Sequence, residues 1–126
     1  MANIDIDNLA AEITLAVREY TEDVSVAIAA EADRTSGEIV KELREKSPRR
    51  TGEYAKGWTR RKEGGEGDVQ YTVHNKNKPW LAHLLEDGHA KRGGGRVEGK
   101  PHIRPVAEKH IKQFEDRVRQ IIRDGG

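Results

Sequence analysis

The side chains best suited to acid–base or metal chemistry in this 126-residue chain are its five histidines. They are His74, His83, His89, His102 and His110. The segment HNKNKPWLAH, which holds His74 and His83, is the one stretch that suggests an enzyme, a small histidine-dependent nuclease. A metal site is disfavoured because there is no HExxH pair and because the chain lacks the cysteine that Cys/His zinc sites need.

Other catalytic signatures are also missing from the sequence. There is no GxSxG element, no Walker-type phosphate loop and no dinucleotide-binding fingerprint. The carboxylates lie mostly beside Lys and Arg on helical faces, where solvated ion pairs are the usual outcome. The sequence therefore predicts a protein without catalytic activity, cofactor or bound metal, and the nuclease is kept as a rival hypothesis.

Two clusters of positive charge could bind phosphate groups. The first contains Arg49, Arg50, Lys56, Arg60, Arg61 and Lys62, and the second contains Lys91, Arg92, Arg96 and Lys100. However, glutamates dilute both clusters, the net charge is only +1, and no helix-turn-helix or aromatic stacking platform accompanies them. Weak contact with nearby DNA is favoured over sequence-specific recognition, and a small nucleic-acid-binding protein that uses both clusters is the alternative function.

A long helical pattern precedes the first cluster. From residue 7 to residue 46 apolar side chains recur every three or four residues, which is typical of one buried helix face. The pattern ends at Ser47, because the residue before a proline is driven out of helical geometry. A helix over residues 7–46 would be about 60 Å long, so part of it would project or pack on a neighbouring subunit.

Residues 51–75 are predicted to form a corner and a β-hairpin. Thr51 would cap a single helical turn, and Trp58 would begin the first strand, which a glycine-rich turn connects to the alternating strand DVQYTVHN. The residues expected to build the corner and to hold the first strand against the helices are Pro48, Thr51, Gly52, Tyr54 and Trp58.

Three further segments complete the chain. They are a short helix over residues 77–87, a flexible basic loop over residues 88–100 and an amphipathic C-terminal helix over residues 104–123. The short helix is expected to have Asn77 as its cap, Trp80 on its apolar side and Gly88 as its stop. The predicted fold class is α+β, a single domain over residues 1–126 in which helices cover a small antiparallel sheet built on a hairpin.

The composition indicates a small hydrophobic core. Charged residues make up 36% of the chain, against about 25% in ordinary soluble domains, and there are only one Phe, two Trp and three Tyr. Either the chain is a thin, helix-dominated monomer or it completes its core in an assembly, and we favour assembly because small-core chains commonly need oligomerisation. No apolar run reaches the ~18–20 residues needed to span a bilayer, and the acidic start MANIDIDNLAAEI is unlike a signal peptide. We therefore expect a protein made in a cytoplasm, without membrane contact.

Three motifs in a fixed order carry a resemblance to a known family. They are SPRRTGEYAKGW at the corner, EDG at the end of the short helix and PHIRP at the start of the last helix. The chain resembles neck or tail-component proteins of long-tailed, siphovirus-type bacteriophages, which are also described as head-tail joining or tail-completion proteins. The matching residues are Ser47, Pro48, Thr51, Gly52, Tyr54, Trp58, Glu86, Gly88, Pro101, Ile103, Arg104 and Pro105.

The resemblance implies a structural virion protein without enzymatic activity. It implies a ring subunit that joins the DNA-filled head to the tail around the DNA channel, a hexamer by analogy with tail-end rings, whereas a twelvefold ring would suit a head-side position. Its partners would be further copies of itself, the adjacent head-closure protein, and the tail-terminator or major tail protein. The protein would lie in the virion neck after assembly in the host cytoplasm, with genome DNA passing nearby without sequence-specific contact.

Particular residues acquire expected roles from the same resemblance. The motif and interface residues would be Trp80, Glu86, Gly88, Pro101, Ile103, Arg104 and Pro105. A loop that lines the DNA channel or docks on a neighbouring ring would carry Lys91, Arg92, Arg96 and Lys100.

Overall fold

Helices cover one face of an antiparallel sheet, which confirms the predicted α+β class. The computed structural model describes residues 3–4, 11–17, 19–49, 52–64 and 68–126. In chain order the elements are β1 (Asn3–Ile4), β2 (Ala11–Ala16), α1 (Glu22–Lys46), α2 (Glu53–Lys56), β3 (Trp58–Glu63), β4 (Asp68–Asn75), α3 (Leu81–Asp87), β5 (Gly88–Ala90), β6 (Arg96–Glu98) and α4 (Ile103–Asp124).

The main sheet has the strand order β1-β2-β4-β3, and all of its pairs are antiparallel. The hairpin predicted from the sequence is formed by β3 and β4, whose register places Trp58 opposite Asn75. Val69, Tyr71 and Val73 of β4 are buried, and the residues between them are partly exposed. This alternation turns one face of the strand towards the helices.

The helix predicted over residues 7–46 is wrong at its start. Residues 11–16 form β2, which pairs along β4, and α1 begins only at Glu22, where the Thr21 side chain caps it. Short apolar runs fit the helical and the strand period equally well, and here the pairing with β4 decides between them. Residues 7–10 of the prediction lie outside the described residues.

The helix α1 is shorter than predicted and does not project as a 60 Å rod. Its 25 residues correspond to about 37 Å. It ends at Lys46, and the backbone N–H of Ser47 donates to the carbonyl of Leu43 directly before Pro48. The C-terminal helix α4 begins and ends within one residue of the predicted bounds.

The core consists of two apolar clusters along α1. One lies near the start of α1 and contains Ile28 and Phe114, and the other lies near its end and contains Leu43 and Trp58. The helices α1 and α4 pack on each other over both clusters. The second cluster therefore brings the end of α1 next to the corner and the first turn of α4.

Two features of the short helix differ from the prediction. The helix α3 begins at Leu81, and Trp80, expected on its apolar side, precedes it and is 64% exposed. Asn77 does not cap the helix. Instead, the Oδ1 atom of Asn75 accepts hydrogen bonds from the backbone N–H groups of Asn77 and Lys78, which turns the chain after β4.

The basic segment predicted to be a flexible, irregular loop is a two-stranded sheet formed by β5 and β6. Gly94 and Gly95, both with positive φ, lie in the turn between the strands. Residues 91–98 are exposed throughout. The sequence prediction missed these strands because they are short and lack the alternating pattern of a half-buried strand.

Candidate functional site: a buried junction and an exposed groove

The tryptophan at the corner ties the end of α1 to the start of β3. Trp58 is 1% exposed, and its Nε1 donates a hydrogen bond to the Ser47 hydroxyl over 2.8 Å. The Trp58 carbonyl accepts two hydrogen bonds from the Arg44 guanidinium, at 2.8 and 3.0 Å. The ring packs edge-on against Tyr54, with 5.6 Å between the ring centres. These contacts fix the chain where it turns from helix to sheet.

Asn75 holds the same corner from the other strand of the hairpin, and the sequence analysis did not single it out. Its Nδ2 donates to the Tyr54 carbonyl over 2.7 Å. A Cβ atom at Gly57 would lie only 2.3 Å from Asn75 Oδ1, so this approach requires glycine. An asparagine at the end of a strand, followed by Lys-Asn-Lys-Pro, is a recognisable turn signal that could have identified it.

Glu86 caps the first turn of α4 from inside the protein. Its side chain is fully buried, and Oε1 accepts hydrogen bonds from the backbone N–H groups of His102 and Ile103, at 2.7 and 2.8 Å. The other oxygen, Oε2, accepts from the N–H of Arg104 over 3.1 Å. The next residue, Pro105, has no N–H group. One carboxylate therefore satisfies the donors that a helix start leaves unpaired.

The buried negative charge of Glu86 is compensated locally. The N-terminal end of α4 carries the positive end of the helix dipole, which favours a carboxylate at this place. The Arg104 guanidinium lies 3.6 Å from Glu86 Oε2 and also pairs with Asp87 over 2.9 Å. Charge-assisted hydrogen bonds and a cation thus offset the cost of removing this carboxylate from water.

His102 links the helix cap to the corner. Its Nδ1 lies 2.7 Å from the Lys100 carbonyl, which can only accept, so Nδ1 carries the proton. Its Nε2 then accepts a hydrogen bond from the Tyr54 hydroxyl, 2.8 Å away. Burial raises the pKa of Tyr54 above its ordinary value, and the nearby Glu86 carboxylate raises this pKa further. The hydroxyl is thereby kept neutral and able to donate.

The three sequence motifs meet in one buried network, which we call the junction. Its members are Ser47, Tyr54, Trp58, Glu86 and His102. Each polar side chain in the junction has a hydrogen-bond partner inside the protein. The junction connects α1, the β3–β4 hairpin and α4. Its polar side chains form hydrogen bonds within the protein and are not presented to solvent.

Several residues expected at an interface lie inside the molecule. Glu86 and Ile103 are buried within the subunit, where their side chains contact other parts of the same chain, and their expected interface role stays a prediction. Pro101 and Pro105 are exposed, and Gly88 is partly buried. Thr51, expected to cap the corner, lies outside the described residues, whereas Gly52 precedes α2 with φ 83°.

An apolar groove, which we call the groove, runs along the surface beside the junction. It consists of two clefts of about 520 and 460 Å³ that share Pro48, Leu85 and His89. The first cleft also includes Val97, which is 38% exposed, and the second includes the exposed Trp80. The groove is thus a concave surface with apolar side chains at its edges, and it is the candidate site for contact with another protein.

Positive charges surround the groove. The cations that line it are Lys46, Arg49, Lys78 and Lys100, and its acidic lining residue is Glu98. The groove therefore combines an apolar floor with a net positive rim. This combination fits a partner surface that is apolar at its centre and acidic at its edges.

Part of the first basic cluster is engaged in contacts within the protein. Arg60 pairs with Asp33 at 3.0 Å and donates to Ser36, while Arg61 pairs with Glu63. Arg50 lies outside the described residues. Contacts within the protein therefore occupy much of the positive charge that a nucleic acid would need, which weakens the nucleic-acid interpretation for this cluster.

The second basic cluster divides between two places. Lys91 and Arg92 are exposed on the β5–β6 hairpin, as is Arg96, which also donates to the Asp87 carbonyl over 2.7 Å. Lys100 lies at the groove. The hairpin residues and Lys100 therefore lie on different surfaces, and the docking or channel-lining role of all four stays a prediction.

The histidines occupy separate environments. His102 belongs to the junction, His110 lies 3.2 Å from Glu42 on α1, and His83 lies 3.8 Å from Asp87. Across residues 11–17, 19–49, 52–64 and 68–126, no group of three metal-ligating side chains is close enough to hold a metal ion. None of the helices in the described part of the chain is both long and apolar enough to cross a membrane.

Comparison with known proteins identifies the family. A model of the HK97-gp10-like family, described as "Bacteriophage HK97-gp10, putative tail-component", matches residues 11–88. No curated protein and no solved structure gives a significant match. The match covers more than half of the chain and includes the corner and the EDG motif, while the PHIRP motif follows it. The chain therefore belongs to the HK97-gp10-like family of bacteriophage tail components.

Proposed function

We propose that the protein is a non-enzymatic subunit of a ring at the head-to-tail interface of a siphovirus-type phage particle. The observation that carries this proposal is the family match over residues 11–88, which contains the corner, the hairpin and α3. In this role the protein would complete the neck or tail end around the DNA channel. It would be assembled in the cytoplasm of the bacterial host and would remain in the virion.

Two features of the surface support assembly into a ring. The groove exposes Trp80 and Val97 beside the junction, and a partner that covers them would remove this apolar area from water. The junction holds the groove in a fixed shape, because Pro48 and Leu85 lie next to its buried members. A pre-formed apolar surface on a rigid support lowers the cost of binding. Sixfold symmetry is the ring we propose.

The β5–β6 hairpin is the part of the subunit that we assign to neighbouring proteins or to the DNA channel. Its exposed residues Lys91, Arg92 and Arg96 would weaken the repulsion between the ring and passing phosphates without reading base sequence. The adjacent rings would be the head-closure protein on one side and the tail-terminator or major tail protein on the other.

The proposal is tested by removing the gene product from an infection. Without the protein, we expect filled heads and tails to accumulate separately, and supply from a plasmid should restore joined particles. Mass spectrometry of purified wild-type virions should detect the protein. Normal particles in its absence, or virions that lack it, would contradict the proposed function.

A second candidate function, nucleic-acid binding through the two basic clusters, is favoured by the exposed cations of the β5–β6 hairpin and by Lys56 and Lys62 of the first cluster. Titration of the purified protein with duplex DNA at about 50 and 200 mM salt separates the two, because phosphate contacts weaken steeply with salt. A structural ring subunit predicts weak binding that salt abolishes. Tight binding that persists at the higher salt concentration would support the nucleic-acid-binding protein instead.

A further inference from the structure

The large exposed apolar side chains of the described residues lie at two separate places. They are Val26, Trp80 and Val97. Trp80 and Val97 line the groove beside the end of α1, whereas Val26 lies near the start of α1 and is 63% exposed. About 20 residues of helix separate Val26 from the groove residue Lys46, which corresponds to ~30 Å. The two apolar surfaces are therefore distinct.

The surface around Val26 is acidic, and we call it the acidic patch. Its exposed residues are Glu19, Glu22, Asp23, Val26 and Ala30. On the helix, Glu22 precedes Val26 by one turn and Ala30 follows by one turn, so the three form a ridge. Between residues 19 and 33 the sequence contains neither Lys nor Arg, and the nearby cations Arg34 and Arg117 pair with Glu31, and Arg34 also with Glu38. A small apolar ridge flanked by carboxylates is thus presented to solvent.

The acidic patch and the groove have opposite charges, and one surface is convex while the other is concave. The groove is concave and apolar with the cations Lys46, Arg49, Lys78 and Lys100 along its lining. The acidic patch is a convex helix surface with Val26 at its centre. The apolar side of α1 faces the core, so only the Val26 ridge on its solvent side would enter the groove, and opposite charges steer such an encounter and fix its orientation.

We infer that the groove of one subunit binds the acidic patch of a second copy of this chain. The inference rests on the proposed function, a ring subunit, and specifies the contact between neighbouring subunits. Because the two surfaces lie at opposite ends of α1, the contact is head-to-tail, and head-to-tail contacts close into rings when the rotation permits. Trp80 is the anchor of the groove, since aromatic side chains dominate the energetics of such contacts.

Two single substitutions on the full-length protein test the contact. Val26→Asp disrupts the acidic patch, and Trp80→Ala disrupts the groove. Both side chains are exposed, so circular dichroism and thermal melts should match the wild type. Sedimentation velocity over a concentration series should show wild-type assembly, and each variant should associate about thirtyfold more weakly. Glu108→Lys, an exposed charge reversal on α4, is the control and should assemble like the wild type.

Mixing the two variants tests whether the contact is head-to-tail. The Val26→Asp chain retains an intact groove, and the Trp80→Ala chain retains an intact acidic patch. Together they possess one complete contact, so the mixture should form a one-to-one dimer and nothing larger. A contact that used the same patch twice would give no rescue on mixing. A mixture that stays monomeric, variants that assemble like the wild type, or a monomeric wild type would each overturn the inference.

Different experimental results would contradict this contact and the proposed function. If the protein is found in virions but the mixture remains monomeric, the ring proposal stands and the contact is wrong. If virions lack the protein and phage assembly does not need it, the proposed function fails regardless of how the variants associate in solution.

Discussion

Glu86, near the end of α3, and Glu98, in β6, are twelve residues apart in the chain but lie in opposite environments. Glu86 is 1% exposed and accepts three backbone hydrogen bonds at the start of α4. Glu98 is exposed on the β5–β6 hairpin. The two ends of this stretch are locked together, since Lys100 N–H donates to the Leu85 carbonyl and a Cβ at Gly99 would collide with Glu86.

The comparison separates a structural role from a surface role within one short part of the chain. The junction builds the inside of the molecule, so its residues contribute to stability and hold the groove in place. The β5–β6 hairpin extends from the junction and buries little surface of its own. We therefore expect substitutions in the junction to change the free energy of unfolding and substitutions in the hairpin to change contacts with partners.

The largest effect is expected at Trp58. Trp58→Ala removes a buried indole and leaves a cavity, which should cost about 3–5 kcal/mol of the free energy of unfolding, measured by urea denaturation. Trp58→Phe keeps most of the ring but loses the hydrogen bond to Ser47, so its cost should be about 1–2 kcal/mol. A Trp58→Ala protein as stable as the wild type would show that the corner does not hold the fold.

The second-largest loss of stability is expected at Glu86. Glu86→Ala leaves the N–H groups of His102 and Ile103 buried without acceptors, and we expect a loss of about 3 kcal/mol. Glu86→Gln keeps one acceptor oxygen and should lose less. The matched control is Glu98→Ala on the hairpin, with an expected change below about 0.5 kcal/mol. Equal effects at the two glutamates would remove the distinction between junction and hairpin.

The pH dependence of the free energy of unfolding tests the role of Tyr54 in the junction. The neutral hydroxyl is stabilised in the folded protein, so the pKa of Tyr54 is higher there than the ordinary value of about 10 in the unfolded chain. Its contribution is complete below about pH 10 and declines as the pH rises towards the folded-state pKa. Tyr54→Phe should cost about 1–2 kcal/mol at neutral pH. It should also reduce the alkaline loss of stability, measured as denaturation midpoints across pH.

In Tyr54→Phe some alkaline dependence should persist, because burial and Asp33 also raise the pKa of Tyr71. An alkaline profile identical to that of the wild type would mean that the Tyr54 hydroxyl is not held neutral by the junction. Tyr71→Phe is the control that removes the second shifted hydroxyl while leaving the junction intact.

The smallest changes in stability are expected for substitutions on the β5–β6 hairpin. Lys91→Ala and Arg92→Ala should each change stability by less than about 0.5 kcal/mol, since both side chains are exposed. In the isolated protein, amide hydrogens from Lys91 to Gly95 should exchange much faster than those of Ile103 and Arg104. Strong protection of the hairpin amides would indicate that it is part of the rigid body.

Local patterns in the sequence identified the elements that have local causes. The end of α1 before Pro48, the β3–β4 hairpin and the stop of α3 at Gly88 follow from proline geometry, alternation and a positive-φ glycine. The strand β2 was not predicted, because its apolar spacing also fits a helix. Its strand state depends on pairing with β4, which is distant in sequence.

The junction could be anticipated only in part. Trp58 was expected to hold the corner, but its hydrogen bond to Ser47 and the contact between Tyr54 and His102 connect residues without a shared local pattern. The Tyr54–His102 pair spans 48 residues. Glu86 was expected among the motif and interface residues from the family resemblance, which carries no information on its burial. Its burial depends on the orientation of α4, which no spacing in the sequence specifies.

The two tryptophans allow the most direct test of the claim that the junction is internal and the groove is the contact surface. Trp58→Phe leaves Trp80 as the single tryptophan, and Trp80→Phe leaves Trp58. Acrylamide quenching should reach Trp80 in the dilute protein and become severalfold weaker on assembly, whereas Trp58 should be protected in both states. Quenching of Trp80 that does not change in the assembled protein would contradict the account.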